Sequence, residues 1–331
     1  MPRAYQGSFI TKTPITPSGP FQCGAASGVW TIDQMVGWQK AGLWPTAGNL
    51  PVGTFAIFAL GSISCAVSTT RNKYTYSGCV SVSATASSVA SSNGSAAGNS
   101  TVGIFALGAA PSPSTTRNKY TYSGCVNASA TSSTANSSYG AAAGTATFGI
   151  FSLGNGTSTR NKYTYSGDTN SSATASSTGY TYGSSAAGNS TVGIFALGGT
   201  SSPSTIRDKY TYSGCTVTSG AAASASSYFG AAVGNACVGI FALGNTGSAS
   251  TTRNKYTYSG CVNASATAAS AASYIGSAAG NSTVGIFALG SNQTTRDKYT
   301  FSGCVVSSGA AASAASYGGS AASNGTTGVN V

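Results

Sequence analysis

The stretch "RNKYTYSGCV" occupies residues 117–126, and near-copies of it recur along the chain. The copies begin at Arg71, Arg117, Arg160, Arg207, Arg253 and Arg296, in steps of 46, 43, 47, 46 and 43 residues. A fixed period of that size marks a repeat architecture, each repeat being one supersecondary unit. Two more anchors keep the same step. "GIFALG" stands at 103–108, 193–198, 239–244 and 285–290, with "GIFSLG" at 149–154 and "FAIFALG" at 55–61. "GSAAGN" stands at 94–99 and 276–281, and "SAAGN" at 185–189.

Each unit reads as four short strands. In "TVGIFALG" both alternating sides are apolar, Val102, Ile104 and Ala106 against Phe105 and Leu107. That pattern belongs to a strand buried on two faces. "TRNKYTYSG" follows with β-favouring aromatics and threonine, then an Ala/Ser/Thr segment, and "SAAGN" leads into the next unit. Four strands in 43–47 residues is the size of a propeller blade. The predicted fold is all-β: a six-bladed β-propeller of four-stranded blades over residues 50–331. An extended arm and one short helix precede it over residues 1–49. Small Ser, Ala and Gly residues suit inner strands crowded round an axis. The ends of the array complement each other, so the ring is predicted to close by pairing residues 320–324 with 55–61. An open solenoid is the competing architecture, and it would need polar caps at both ends.

The glycine-ended "IFALG" strand and the tyrosine-bearing "KYTYS" strand resemble Kelch-type propeller repeats over roughly residues 50–331. The copper chemistry of some Kelch-type oxidases relies on histidine ligands. The chain has no histidine, so that activity is not carried over.

Residues 1–49 differ in chemistry and hold all three tryptophans, Trp30, Trp38 and Trp44. "TIDQ" at 31–34 has capping-box spacing, with Thr31 as N-cap and Gln34 reaching back. Ile32, Met35, Val36 and Gln39 would share one face of the helix, which Gly42 and Pro45 end. The stretch "ASGVWTIDQMVGWQKAGLWP" at 26–45 resembles a short module of bacteriophage tail-fibre and other virion structural proteins. That resemblance implies docking to other virion proteins through residues 1–49. The docking candidates are Trp30, Met35, Trp38, Leu43 and Trp44. A small helical plug on one face of the propeller is the plainer alternative.

Composition narrows the chemistry. Glutamate and histidine are both absent, and the four carboxylates are Asp33, Asp168, Asp208 and Asp297. Triads built on histidine and histidine-bearing metal sites are therefore excluded. Asp208 and Asp297 stand where the other repeats have Asn, each between Arg and Lys, which points to local charge neutralisation. No enzyme activity, metal or cofactor is expected. Five of the eight cysteines occupy one repeat position, Cys79, Cys125, Cys215, Cys261 and Cys304, with Asp168 in the sixth copy. Equivalent positions in neighbouring repeats stand too far apart for a bridge, so free thiols and folding in a reducing cytosol are expected. Neither an export signal nor a membrane-spanning stretch is expected.

Six repeats supply twelve cations: Arg71, Lys73, Arg117, Lys119, Arg160, Lys162, Arg207, Lys209, Arg253, Lys255, Arg296 and Lys298. Period two puts Arg117 and Lys119 on one side of the strand, opposite Asn118, Tyr120 and Tyr122. Two roles are open. The stems could cover tyrosine rings while the heads cap loop carbonyls. Alternatively, the heads could reach solvent as a ring that binds a polyanion such as an anionic host-surface glycan. Nucleic acid is not expected, because the aromatics are placed for packing. The expected function is that of a non-enzymatic bacteriophage virion protein, a tail fibre or surface component present in many copies. Its propeller would serve host-surface or inter-subunit binding. The alternative is a cellular adhesin or scaffold propeller that binds anionic glycans.

Overall fold

Val102, Gly103, Ile104, Phe105 and Ala106 are all buried, as a strand flanked by packed layers on both faces must be. A computed structural model describes residues 31–40, 53–109, 111–179, 183–199 and 202–325. Around Val102–Ala106 an antiparallel sheet is built in the order Ser95–Gly98, Val102–Ala106, Arg117–Thr121, Val126–Ala130. Five further four-stranded sheets repeat this order. They are taken below in chain order, the first containing Phe55–Ala59, the second Val102–Ala106, and the sixth Val284–Ala288.

Local chemistry forms the turns. Between the first two strands of the second sheet, Asn99 Oδ1 accepts the N–H groups of Thr101 and Val102 at 2.9 and 3.0 Å. Such an Asx turn needs no glycine. Asn189, Asn235 and Asn281 repeat it, and Thr145 substitutes through its hydroxyl. The turn between the third and fourth strands is Tyr-Ser-Gly-Cys in four sheets, Tyr-Ser-Gly-Asp in the third and Phe-Ser-Gly-Cys in the sixth. Its left-handed residue is the last and not the glycine: φ is 46° at Cys79 and 51° at Cys125 and Cys304.

The innermost strands Ser95–Gly98 and Ala141–Gly144 are buried at every residue. Each adjoins the innermost strand of the next sheet, and Ser277–Gly280 of the sixth adjoins Ser320–Ser323. The innermost strand of the first sheet comes from the far end of the chain. Ser320–Ser323 pairs with Phe55–Ala59, Ile57 opposite Ala322 and Phe58 opposite Ala321. The complementary ends of the array predicted this pairing. The protein is a β-propeller. A small three-stranded sheet, Ser316–Tyr317, Ser62–Ile63 and Ala66–Val67, accompanies the first sheet.

Seams between sheets hold the core. At the first, Ile57, Ala96 and Ala322 pack with Phe105, Leu107, Tyr120 and Tyr122. Close approach there requires glycine. A Cβ on Gly103 would lie 2.7 Å from the Tyr122 hydroxyl and 2.9 Å from Ala322 Cβ. At the fifth seam the chain makes a compensated exchange: Phe301 stands where the preceding copies have Tyr, and Val233 fills the space over Gly285.

The chain divides into two units, residues 1–51 and 52–331. In the first, helix Ile32–Lys40 is described. Its capping box is present: Thr31 N–H donates to Gln34 Oε1 at 3.0 Å, and Gln34 N–H donates to Thr31 Oγ1 at 3.2 Å. Asp33 in the first turn and Lys40 in the last complement the helix dipole. Among the described residues no helix is long and apolar enough to cross a membrane.

Candidate functional site

The arginines, for which the sequence left both a packing role and a solvent-facing ring open, are the largest fully buried side chains among the described residues. Arg160 is 0% exposed, and Arg71, Arg117, Arg207, Arg253 and Arg296 are 1% exposed. They cannot line a polyanion-binding surface. The period-two argument placed Arg117 on the correct side of its strand, but in a propeller that side faces the next sheet and not water. Each guanidinium crosses a seam and stacks on the phenylalanine of the following second strand. Arg71 lies 4.5 Å from the Phe105 ring, Arg117 4.7 Å from Phe151, and Arg296 4.6 Å from Phe58. Arg160, Arg207 and Arg253 stack likewise on Phe195, Phe241 and Phe287. A desolvated cation–π contact is worth about 2 kcal/mol.

The residue after the next arginine accepts the second contact. Arg71 donates through Nη2 to Asn118 Oδ1 at 3.3 Å, and Arg117 to Asn161 Oδ1 at 3.2 Å. Arg160 and Arg253 instead meet carboxylates, Asp208 and Asp297, each at 2.8 Å. Where the acceptor is the neutral Asn, a second one stands on the fourth strand. Asn127 serves Arg71, Asn170 serves Arg117, Asn263 serves Arg207 and Ser81 serves Arg296, at 2.8 to 2.9 Å. Where the acceptor is Asp, that fourth-strand place holds Val217 or Val306. One carboxylate thus replaces two neutral side-chain oxygens, as the greater strength of a charge-assisted bond allows, and Nη1 of Arg160 and Arg253 donates instead to the backbone carbonyls of Ala175 and Ala268 at 3.4 Å.

The same acceptor ties in the connector of the preceding sheet. Asn118 Nδ2 donates to Ser88 Oγ at 2.7 Å. At Asp208 the direction reverses, and Ser177 Oγ donates to Oδ1 at 2.6 Å. Burial lowers the guanidinium pKa of Arg71, Arg117, Arg207 and Arg296 to about 10, with a neighbouring tyrosine opposing. Arg253 is lowered by burial too, against the pull of Asp297. Two charge-assisted hydrogen bonds of about 1.5–3 kcal/mol each, plus the stacking, set against a desolvation cost of several kcal/mol, leave the clamp near balance. Its contacts tie each sheet to the next.

The lysines are half-buried and take two positions. Lys73 and Lys162 fold back over the phenylalanine that begins their own sheet's second strand, 4.2 Å from Phe55 and 4.4 Å from Phe148. In the other sheets that residue is Val102, Val192, Val238 or Val284, and the lysine reaches the next sheet. Lys119 pairs with Asp168 at 2.8 Å. Lys209, Lys298 and Lys255 reach Cys261, Cys79 and Cys304 at 3.3, 3.7 and 3.9 Å. Cys79, Cys125, Cys215, Cys261 and Cys304 are free thiols, as expected.

Of the docking candidates, Trp30, Leu43 and Trp44 lie outside the described residues. Met35 and Trp38 fall within helix Ile32–Lys40. Ile32, assigned to the apolar face, is 75% exposed.

Sequence reasoning missed a set of left-handed residues that precede the innermost strands: Asn93, Tyr139, Gly183, Phe229, Ile275 and Gly318, with φ between 55° and 65°. Their backbones link sheet to sheet. Asn93 N–H donates to Gly318 O at 2.7 Å, Tyr139 N–H to Asn93 O at 2.8 Å, Phe229 N–H to Gly183 O at 2.9 Å, and Gly318 N–H to Ile275 O at 3.0 Å. The dissimilar side chains hide a shared conformation. Only the glycine that follows in five of the copies hinted at a turn there.

No known protein family and no curated protein matches the chain. Among solved structures it is similar to TolB from Acinetobacter baumannii, with 12% identity and a TM-score of 0.56. The match covers 84% of this chain and 69% of that one. At such identity the likeness concerns the propeller fold alone.

Proposed function

We propose that the protein is a non-enzymatic structural component of a bacteriophage virion, a six-bladed, Kelch-type propeller that docks through residues 1–49 and displays its loops for binding. The small three-stranded sheet is an appendage of the first blade in this reading. One observation carries the non-enzymatic assignment: the six arginines and all three ring carboxylates are spent on blade-to-blade contacts. All three ring carboxylates are already paired, Asp168 with Lys119, Asp208 with Arg160 and Asp297 with Arg253. Asp208 and Asp297, each 1% exposed beneath a guanidinium, are held out of a substrate's reach. That leaves Asp168 without a second accessible ring carboxylate for glycoside hydrolysis. The clamps make a rigid ring whose exposed loops carry Ser, Thr, Asn and Gly, which suits display. The virion assignment rests on the resemblance of residues 26–45 to virion docking modules.

The test compares the full chain with one lacking residues 1–49 in cells producing the particle. Only the full chain is expected to co-sediment with particles, and Trp30→Ala or Trp44→Ala should reduce its incorporation. Equal incorporation of the shortened chain would remove the docking assignment, and hydrolysis of bacterial surface glycans by the purified protein would remove the non-enzymatic one.

A second reading rests on the half-buried lysines alone, as a weakly basic ring for anionic glycan. Replacing Lys119, Lys162, Lys209 and Lys255 together with Gln separates the cases. A binding role predicts weaker, salt-sensitive attachment at unchanged Tm, since exposed charges are screened over roughly 8–10 Å. A packing role predicts a lower Tm and attachment indifferent to salt.

A further inference from the structure

The contacts between lysines and cysteines fall into two groups within one chain. At three seams the lysine head lies on the thiol of the next sheet: Lys209 on Cys261 at 3.3 Å, Lys298 on Cys79 at 3.7 Å and Lys255 on Cys304 at 3.9 Å. All three are half-buried free thiols, held in the same left-handed turn position, with φ of 46° to 51°. Cys125 and Cys215 occupy that position too, with φ of 51° and 49°. Their lysines, however, are drawn onto Phe55 and Phe148. Asp168 completes the set, meeting Lys119 as an ion pair. Among the described residues there are therefore three amine–thiol pairs and two thiols of the same turn position without a lysine, half-buried Cys125 and exposed Cys215.

We propose that these three pairs are sites of oxidative cross-linking, in which peroxide joins the lysine nitrogen to the cysteine sulfur through one oxygen. First, a sulfur electron pair attacks one peroxide oxygen and the O–O bond breaks. The departing hydroxide takes the thiol proton as water, leaving a sulfenic acid, S–OH. A second peroxide then oxidises the adjacent amine and sulfenic acid together. One N–H and one O–H hydrogen are lost, the N–O bond forms, and the peroxide leaves as two waters. Overall, thiol, amine and two peroxides give S–O–NH and three waters. The two groups belong to different sheets that the arginine clamps hold at a set spacing. The gap between them is nearer the reach of a single bridging atom than that of a direct S–N bond. The links would staple the fourth sheet to the fifth, the fifth to the sixth, and the sixth to the first, where the chain ends meet.

The test is hydrogen peroxide treatment of the full chain, followed by intact-mass and peptide mass spectrometry. The expected result is linked peptides Lys209–Cys261, Lys298–Cys79 and Lys255–Cys304, each heavier than the unlinked pair by about 14 Da, with Cys125 and Cys215 passing to unlinked sulfinic acid. A thiol reductant should reverse the links, and they should raise Tm as cross-links between distant chain segments do. Lys209→Arg, which lacks the primary amine, should abolish the Cys261 link alone. Phe148→Val should free Lys162 and add a link to Cys215, with circular dichroism checking that the variant is folded. Sulfinic acid at Cys79, Cys261 and Cys304 beside unmodified lysines would overturn the proposal. So would a linked mass lower than the unlinked pair by about 2 Da, the mark of a direct S–N bond. Links at Cys125 and Cys215 of the unaltered chain in equal yield, or none at Cys215 in folded Phe148→Val, would also overturn it.

Discussion

Arg160 and Arg117 occupy the same place in successive repeats and differ only in what receives them. Removing Arg160 leaves Asp208, 1% exposed, as a buried carboxylate without its cation. Removing Arg117 leaves two neutral amide oxygens, on Asn161 and Asn170. Both variants lose the same stacking; beyond it, Arg160→Met should cost about 3–5 kcal/mol and Arg117→Met about 1–3 kcal/mol. Urea denaturation of the two variants checks the order, and equal losses would contradict the assigned roles. The exchange of one carboxylate for two amides makes a further prediction. Asp208→Asn should destabilise, and Val217→Asn added to it should restore part of the loss, because the pair then copies Asn161 and Asn170. A double-mutant cycle should show favourable coupling of about 0.5–3 kcal/mol, typical of residues sharing one network. Additive effects would show that the fourth-strand amide is incidental.

Among the elements, the strand Ser320–Ser323 has the largest consequence for its length. It contributes four residues, all buried, and pairs with Phe55–Ala59 across almost the whole chain. Phe55 N–H also donates to Asn324 Oδ1 at 3.0 Å, and the Tyr76 hydroxyl meets Ser323 Oγ at 2.9 Å. Deleting residues 319–331 should strip the inner edge of the first sheet and expose an apolar, unpaired strand. Aggregation, or loss of a single cooperative transition in calorimetry, is the expected outcome. A truncated protein that melts like the intact one would contradict closure by this strand. Helix Ile32–Lys40 is a contrasting case, exposed at its start and held by a local capping box. Thr31→Ala should reduce helix content at a cost of about 1 kcal/mol, read by circular dichroism of a peptide spanning residues 26–45.

At the scale of the whole molecule, repetition turns one buried phenol into many. Eleven tyrosines have their hydroxyl pKa raised above 10, burial being the first cause in each. For Tyr74, Tyr120, Tyr210 and Tyr256 the value is pushed up to about 12. A group with a raised folded pKa contributes stability that is whole below its unfolded pKa and is lost as pH climbs towards the folded one. Four arginines lowered to about 10 act in the opposite sense over that range, but the tyrosines outnumber them. Tm should therefore hold up to about pH 10, the ordinary tyrosine value, and fall steeply between about pH 10 and 12. Tyrosinate absorbance should appear together with unfolding and not before it. Early ionisation at intact fold would contradict the buried phenol ring.

Much of the architecture was legible in the chain because repetition exposes it. The 43–47-residue period, the two-sided apolar "GIFALG" and the complementary chain ends all follow from covalent order and local burial preference, so the propeller and the pairing of residues 55–59 with 320–323 were within reach. The thiols and the capping box were legible for the same reason, each resting on spacing alone. The direction in which Arg71 and its five counterparts point was not. Period two assigns a residue to a side of its strand, and only the arrangement of neighbouring sheets decides whether that side meets water or a phenylalanine ring. The lysines show the same limit more finely. Lys162 and Lys209 sit in near-identical local sequence, yet Phe148 holds one while Val192 lets the other reach Cys261, a choice made by the volume of a residue on the adjacent strand. Local sequence sets what each side chain can bond to, and the packing of one sheet against the next sets which of those bonds it makes.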